Sequence, residues 1–162
     1  MGRRVHEWAA LMARLAQVLV EHCKHAFGIV LESQAGWKFV FSGDTQRCAN
    51  LEAAARGATL LVHEATFESD MADDARIKKH STIADALEVG RASACSSLVL
   101  THFSQRYPRV PNLSDATNAA TGIAFDLMTV NLANLAALPR VMPVLAALFK
   151  DEDGAKAALE AQ

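Results

Sequence analysis

Apolar residues recur at two different spacings along this chain, and the two spacings predict different elements. Over residues 5–16 the spacing is helical, so an amphipathic helix is predicted there, followed by a strand that begins at Val18 to Val20. Phe27 to Glu32 and Lys38 to Phe41 read as strands and are separated by a glycine-containing turn. These two strands are therefore predicted to form a hairpin.

Two helices are predicted further along the chain. The first covers Asn50 to Arg56, with its first residue as the cap and the following glycine as the stop. The second is capped by Ser81 or Thr82 and runs to about Ala92, because a hydroxyl at a helix start accepts a hydrogen bond from a free backbone N–H. The charged stretch 68–79 is predicted to be an exposed loop or a surface helix.

Two more compact apolar runs, Thr59 to Val62 and Leu98 to Leu100, predict strands. Pro108 and Pro111 are predicted to end regular structure, and a mainly helical, apolar tail follows, whose last dozen residues are predicted to be frayed. Strands alternate with helices, which is typical of an α/β layered fold. No linker composition interrupts the chain, so residues 1–162 are predicted to form one unit.

The composition is that of a globular domain, with 51% apolar and 21% charged residues among 162. The net charge of −2 excludes a broad basic surface for nucleic acid, so any contact with RNA has to be local. The three scattered cysteines form no C-x-x-C pair, which favours a reducing compartment over a disulfide framework. No apolar run approaches the length of about 18 residues that a membrane span needs, and the start fits a secretory signal poorly.

Five short segments place a His, Asp or Glu at or just beyond the end of a strand-like run, where a sheet presents ligands to a metal or a substrate. They are HCKHAFG (His22 to Gly28), SGDT (Ser42 to Thr45), HEAT (His63 to Thr66), HST (His80 to Thr82) and THFSQRY (Thr101 to Tyr107). Imidazole and carboxylate ligands suit zinc and several other divalent ions. Taken singly, each segment also has a purely structural interpretation, such as a histidine at a strand edge or an aspartate that caps a turn.

In their order and in their residues, the five segments resemble the C-terminal half of ribonuclease Z, the tRNA 3′-processing endonuclease of the metallo-β-lactamase superfamily. The resemblance covers about residues 16–150 and is closer to the long eukaryotic form than to the short bacterial form. It implies half of a metallo-β-lactamase-like four-layer αββα sandwich. Half of such a sandwich exposes the inner face of a sheet, so the isolated chain is expected to be poorly soluble or homo-oligomeric.

The resemblance also implies a role for five side chains. His22, Asp44 and His102 would be ligands of two zinc ions, with the aspartate bridging the ions. Glu64 would hydrogen-bond His80 and orient its ring, so that His80 can give a proton to the departing ribose 3′-oxygen. The structural alternatives are a solvated loop acid for Glu64 and a helix-capping position for His80.

Four other residues in or beside these segments have less specific interpretations. Ser104 and Arg106 could touch phosphate, although an arginine is more often a surface or ion-pair residue. His63 is predicted to be structural, and His25 to lie at the surface or behind the ligands.

The function that the resemblance implies is removal of the 3′ trailer from precursor tRNA by zinc-dependent hydrolysis of a phosphodiester. The family's main zinc-binding motif, HxHxDH, does not occur in the sequence. Three ligands leave two zinc sites under-coordinated, so the chain is expected to be inactive without an N-terminal half that carries the motif. The alternative is a non-catalytic tRNA-binding or structural remnant, or a partner subunit of a split enzyme. The resemblance of the motifs to the long eukaryotic form suggests the nucleus or the mitochondrion, with the cytoplasm as a further option.

Overall fold

The computed structural model describes residues 12–104 and 120–144, and these residues are organised around one six-stranded sheet. The strands are β1 (Met12–Leu19), β2 (Phe27–Ser33), β3 (Lys38–Phe41), β4 (Leu60–Glu64), β5 (Leu98–Thr101) and β6 (Thr121–Ile123). Their order in the sheet is their order in the chain. The first three pair antiparallel, and β3 to β6 pair parallel. The sheet is therefore mixed, and the carboxyl ends of β1, β3, β4 and β5 lie at one edge.

Helices fill the connections from β3 to β4 and from β4 to β5, as crossovers between parallel strands usually do. They are α1 (Ala49–Ala55), α2 (Ala72–Lys78) and α3 (Ile83–Ser93), and a 3₁₀ helix follows at Leu132–Ala137. The main core lies between one face of the sheet and helices α1 and α3, where Leu51, Leu61 and Val89 are fully buried. The α/β class predicted from the sequence is confirmed.

The predicted start of α3 is confirmed in detail. The hydroxyl of Thr82 accepts the backbone N–H of Asp85 at 3.0 Å, and the carboxylate of Asp85 accepts the backbone N–H of Thr82 at 3.0 Å. This capping box satisfies two donors that a helix start leaves free. The predicted cap of α1 is wrong, because Cys48 holds the cap position and Asn50 instead donates its amide to the carbonyl of Leu19 at 3.2 Å.

The predicted amphipathic helix over residues 5–16 is wrong where the structure describes it, because Met12–Leu19 is a strand. Leu15 pairs with Leu31 across β2, and Leu19 pairs with Phe27. Sheet pairing satisfies the backbone of this segment and overrides the helical spacing of its apolar side chains. Residues 5–11 lie outside the described residues.

The apolar tail contains a strand that the sequence analysis missed. Thr121–Ile123 forms β6, which extends the parallel part of the sheet beside β5. Beyond it, Leu135 and Leu138 cover the second face of the sheet over Leu60 and Val99. The predicted stops at Pro108 and Pro111 and the predicted frayed end lie outside the described residues.

The second face of the sheet carries exposed apolar side chains over β1 to β3, and we call this the open sheet face. Its register places them side by side, because Leu19 lies opposite Phe27 and Ile29 lies opposite Phe41. Leu15, on the outermost strand, is 71% exposed. Among the described residues, no helix combines the length and the apolar character that crossing a membrane requires.

Candidate active site

The segments singled out in the sequence meet at the carboxyl edge of the sheet. His22 follows β1, Asp44 follows β3, Glu64 ends β4 and His102 follows β5. These four strands run in the same direction, so their ends deliver the side chains to one place. His80 joins them from the turn between α2 and α3.

Two glycines allow the start of β2 to approach the end of β3 and the turn that follows it closely. A Cβ atom on Gly28 would lie 2.8 Å from the carbonyl oxygen of Phe41, and one on Gly43 would lie 2.9 Å from that of Phe27. Gly43 also has a φ of +61°, in the left-handed region that favours glycine. The loops after β1 and β3 are tied by the backbone hydrogen bond from Gln46 to Glu21, at 2.9 Å.

The carboxylate of Glu64 is 1% exposed and is the centre of the buried part of the site. Its Oε1 accepts the backbone N–H of Thr45 at 2.7 Å, and its Oε2 accepts the backbone N–H of Ser81 at 3.1 Å and the hydroxyl of Thr66 at 2.6 Å. A carboxylate that accepts this many donors is held in a fixed orientation. The solvated-loop alternative for Glu64 therefore does not apply.

The structure places His80 against Glu64, as the resemblance implies. Nδ1 of His80 lies 2.7 Å from Oε1 of Glu64, so Nδ1–H donates and Nε2 is the nitrogen left for other chemistry. The His80 side chain is 15% exposed. Its ring centroid lies 4.6 Å from that of His22 and 5.4 Å from that of His102.

His22, Asp44 and His102 have the chemistry of zinc ligands. Nδ1 of His22 donates to the backbone carbonyl of Lys79 at 2.8 Å, which leaves a lone pair on Nε2. Nε2 of His102 lies 3.8 Å from Oδ1 of Asp44. Two ligand atoms on one tetrahedral zinc ion are about 3.4 Å apart, so this spacing fits an ion between them with a small adjustment.

His80 lies within the same cluster of ligand atoms. Ligand atoms of His22, Asp44 and His80 all lie within 4.8 Å of one another, and so do those of Glu64, His80 and His102. The structure therefore brings together all five predicted site residues. It places the Glu64–His80 pair directly beside the candidate ligands.

His102 has a backbone φ of +61°, which is uncommon for a residue with a side chain. The conformation is held from both sides, by a hydrogen bond from Ala65 to the carbonyl of Thr101 at 2.8 Å and one from Ser104 to the carbonyl of Thr66 at 3.2 Å. Strain of this kind is concentrated at functional sites. Arg106, the other predicted phosphate contact, lies outside the described residues.

His63 is fully buried on the opposite side of β4 from the site. Its Nδ1–H donates to the backbone carbonyl of Glu64 at 2.6 Å, and its Nε2 has no hydrogen-bond partner among the described residues. Burial lowers the pKa of His63, because the charged imidazolium is poorly solvated there. His63 is therefore a neutral, structural histidine. His25 is exposed and lies in the left-handed region, with a φ of +62°.

The sequence analysis missed the two threonines that hold Glu64 and its neighbours. Thr45 donates its backbone N–H to Glu64, and its hydroxyl accepts the backbone N–H of Glu21 at 3.1 Å. Thr66 contacts both Glu64 and His102 through its hydroxyl. The sequence signal that could have identified them is their position inside the segments SGDT and HEAT.

Solved structures define the class of fold. The long-form RNase Z from yeast superposes with a TM-score of 0.81 and 28% identity, over 95% of this chain and 22% of that one. The short-form human tRNase Z (ELAC1) gives a TM-score of 0.56 and 27% identity, over 73% of this chain and 42% of that one. YhfI of Bacillus subtilis, 18% identical with a TM-score of 0.52, shares the fold alone. The chain has a metallo-β-lactamase fold.

Sequence relatives give the particular branch. The chain is 45% identical over 143 residues to the mitochondrial tRNase Z TRZ3 of Arabidopsis thaliana, which covers 82% of this chain. It is 45% identical over 131 residues to the human zinc phosphodiesterase ELAC protein 2, which covers 81% of this chain. The chain is thus homologous to the tRNase Z proteins, and the resemblance seen in the motifs is confirmed. It spans 16% of the length of each of these relatives. No family model matches it.

Proposed function

We propose that this chain supplies the acid–base pair and three of the metal ligands of a zinc-dependent endoribonuclease that removes the 3′ trailer from precursor tRNA. The observation that carries the proposal is the buried Glu64–His80 pair, joined at 2.7 Å and lying within one cluster with His22, Asp44 and His102. The names of the relatives, tRNase Z and zinc phosphodiesterase, support both the substrate and the metal.

The side chains divide the chemistry between them. His22, Asp44 and His102 would hold zinc, which when bound lowers the pKa of a water molecule and neutralises charge on the phosphate. Glu64 fixes the ring of His80 through Nδ1–H. His80 then gives the proton on Nε2 to the ribose 3′-oxygen as the bond from that oxygen to phosphorus breaks. The products are a tRNA with a free 3′-hydroxyl and a trailer with a 5′-phosphate, whose new oxygen comes from water.

Three ligands do not complete two zinc sites, so the proposal includes a second half that carries HxHxDH. Two observations support such a partner. The chain spans 16% of its long relatives, and the open sheet face exposes a row of apolar side chains next to the site. A second sheet packed on that face would bury the row, as the two sheets of a sandwich do. Without this half, we expect the chain to be inactive.

The competing proposal is a non-catalytic remnant or partner subunit that binds tRNA without cutting it. The deciding experiment mixes the purified chain with a separately purified half that bears HxHxDH, zinc, and a precursor tRNA with a labelled 3′ trailer. The enzyme proposal expects cleavage after the acceptor stem in the mixture and in neither part alone. A stable complex of the two halves that binds the tRNA and leaves it intact would instead support the remnant.

The names of two relatives support a proposal for the compartment. The Arabidopsis thaliana relatives at 45% and 42% identity are named as mitochondrial, so we propose that this chain acts in the mitochondrion. The nucleus is the second compartment that the resemblance to the long eukaryotic form suggests.

A further inference from the structure

The hydroxyl of Thr66 lies between the acid–base pair and the candidate metal ligands. Its Oγ1 is 2.6 Å from Oε2 of Glu64 and 2.7 Å from Nδ1 of His102. We propose that Thr66 is a positioning residue, which fixes the tautomer of His102 and couples its orientation to that of Glu64. The proposal deepens the function above, because it rests on His102 as a zinc ligand.

A count of protons gives the direction of each hydrogen bond. The Thr66 hydroxyl has one proton, and the Glu64 carboxylate is an acceptor that already holds backbone N–H groups of Thr45 and Ser81. The hydroxyl therefore donates to Glu64 and accepts from His102. Nδ1 of His102 must then carry the proton, and Nε2 must carry the lone pair.

The opposite arrangement is unfavourable. A hydroxyl that donated to Nδ1 of His102 would leave two oxygen atoms, of Thr66 and Glu64, 2.6 Å apart with no proton between them. The backbone N–H of Thr66 also donates to the same oxygen of Glu64, at 3.3 Å, and keeps the two residues in register. The Nδ1–H tautomer of His102 is therefore selected by geometry, and its lone pair lies on the nitrogen that is 3.8 Å from Asp44.

His22 has the same Nδ1–H tautomer, but a backbone group fixes it. Its Nδ1–H donates to the backbone carbonyl of Lys79, which no side-chain substitution removes. His102 depends on a side chain instead, so its tautomer can be changed by one substitution. Partners of this kind orient metal-bound histidines and tune their affinity for the ion.

The first test uses the metal-free chain, so that it does not depend on zinc or RNA. The carbon and nitrogen chemical shifts of labelled imidazoles distinguish the two neutral tautomers, measured at about pH 8.5, well above the usual histidine pKa of about 6.5. We expect His102, assigned with a His102→Gln variant, to carry its proton on Nδ1. In Thr66→Val it should shift towards the Nε2–H form that free imidazole favours, and Thr66→Ser should restore the wild-type shift.

The second readout is zinc affinity, measured by competition with a chelating dye. Thr66→Val should bind zinc about 10- to 100-fold more weakly, and Thr66→Ser within a few-fold of the parent chain. The matched control is Thr59→Val, which removes a threonine hydroxyl away from the site. That hydroxyl accepts a hydrogen bond from the backbone N–H of Lys38 at 3.0 Å. It should change neither readout.

The outcomes separate the two proposals. An Nε2–H tautomer in the parent chain, or an unchanged His102 spectrum in Thr66→Val, overturns the role of Thr66. The expected tautomers in a chain that binds no zinc, alone or with the second half, would support the positioning geometry and reject the proposed function. Because the spectrum of the parent chain is decisive by itself, the test holds even where the valine variant does not fold.

Discussion

The backbone N–H of Thr45 donates a 2.7 Å hydrogen bond to the same oxygen of Glu64 that accepts from His80. The loop that carries Asp44 and the ring of His80 are therefore fixed by one buried carboxylate. This contact links the part of the site that we propose binds metal to the part that we propose transfers the proton.

Replacing this carboxylate should destabilise the fold as well as the site. Glu64→Ala leaves the buried donors of Thr45 and Ser81 without their acceptor, so we expect the free energy of unfolding to fall by about 3–5 kcal/mol. Urea denaturation measures the change. Asp73→Asn, at a carboxylate that is 93% exposed, is the control and should unfold like the parent chain. Equal stability of the Glu64 variant would mean that the carboxylate is not central.

The glycine at the turn after β3 should tolerate no side chain. Gly43→Ala adds a Cβ atom 2.9 Å from the carbonyl of Phe27, in addition to the strain of a φ of +61°. Gly36→Ala has similar strain, at a φ of +85°, but meets nothing within 4 Å. Gly36→Ala should lower stability by about 1–2 kcal/mol, and Gly43→Ala by about 1–3 kcal/mol more. Matching values in thermal denaturation would argue against the close approach of this turn to the start of β2.

The buried histidine should make the fold sensitive to acid. Burial lowers the pKa of His63 in the folded chain, so the unfolded chain binds a proton at a higher pH. The contribution of His63 to stability should be intact above about pH 6.5. Below that it should fall by up to about 1.4 kcal/mol per pH unit, until the folded state is protonated too.

Unfolding curves between about pH 8 and pH 5 measure this dependence. His63→Gln, which cannot titrate, should have a flatter profile than the parent chain, whereas the exposed His25→Gln should follow the parent. If the profiles of parent and His63→Gln run parallel, His63 does not titrate as its burial requires.

The open sheet face should make the isolated chain self-associate. Leu15→Glu places a charge on that face, at a residue that is 71% exposed, and should shift the chain towards monomer in size-exclusion chromatography with light scattering. Ile77→Glu is the matched control, since Ile77 is 70% exposed but lies on α2. A parent chain that stays monomeric at all concentrations would show that the face needs no cover.

Two substitutions should separate proton transfer from metal binding in the reconstituted enzyme. His80→Ala removes the proposed general acid, so cleavage should fall by about 10²- to 10⁴-fold while zinc stays bound. Asp44→Ala should lose zinc and cleavage together. His25→Ala, at an exposed residue, should retain both, as judged by trailer release and zinc content. Full cleavage by the His80 and Asp44 variants would show that the site residues are wrongly assigned.

The hairpin, the crossover helices and the strand-end positions could be predicted from local patterns. The strand-like runs on either side of a glycine-containing turn predicted β2 and β3, and the hydroxyl of Ser81 or Thr82 predicted the start of α3, where the structure has Thr82. Only the end of the first strand was predicted, at Val18. Its earlier part was not, because the spacing of Leu11, Met12 and Leu15 is also helical and only pairing with β2 decides between the two. Strand β6 is three residues long and exists through its pairing with β5, which no local pattern reports.

The residues of the site could be identified from the sequence, but the contacts between them could not. Glu64 and His80 are separated by sixteen residues, so their contact depends on the crossover through α2. Thr66 has both kinds of contact, one predictable from the sequence and one not. Its position beside Glu64 is local, but its contact with His102 crosses 36 residues and appears only when β4 and β5 pair.

The order of the strands has a consequence for how the chain assembles on the ribosome. Each strand of the sheet lies beside the one synthesised just before it, so pairing can proceed from β1 onwards as the chain emerges. His22, Asp44 and Glu64 are delivered first, and His102 arrives only with β5. A nascent chain would therefore lack His102, the last of the three proposed ligands, until β5 is made, which would delay capture of a metal ion until most of the sheet has formed.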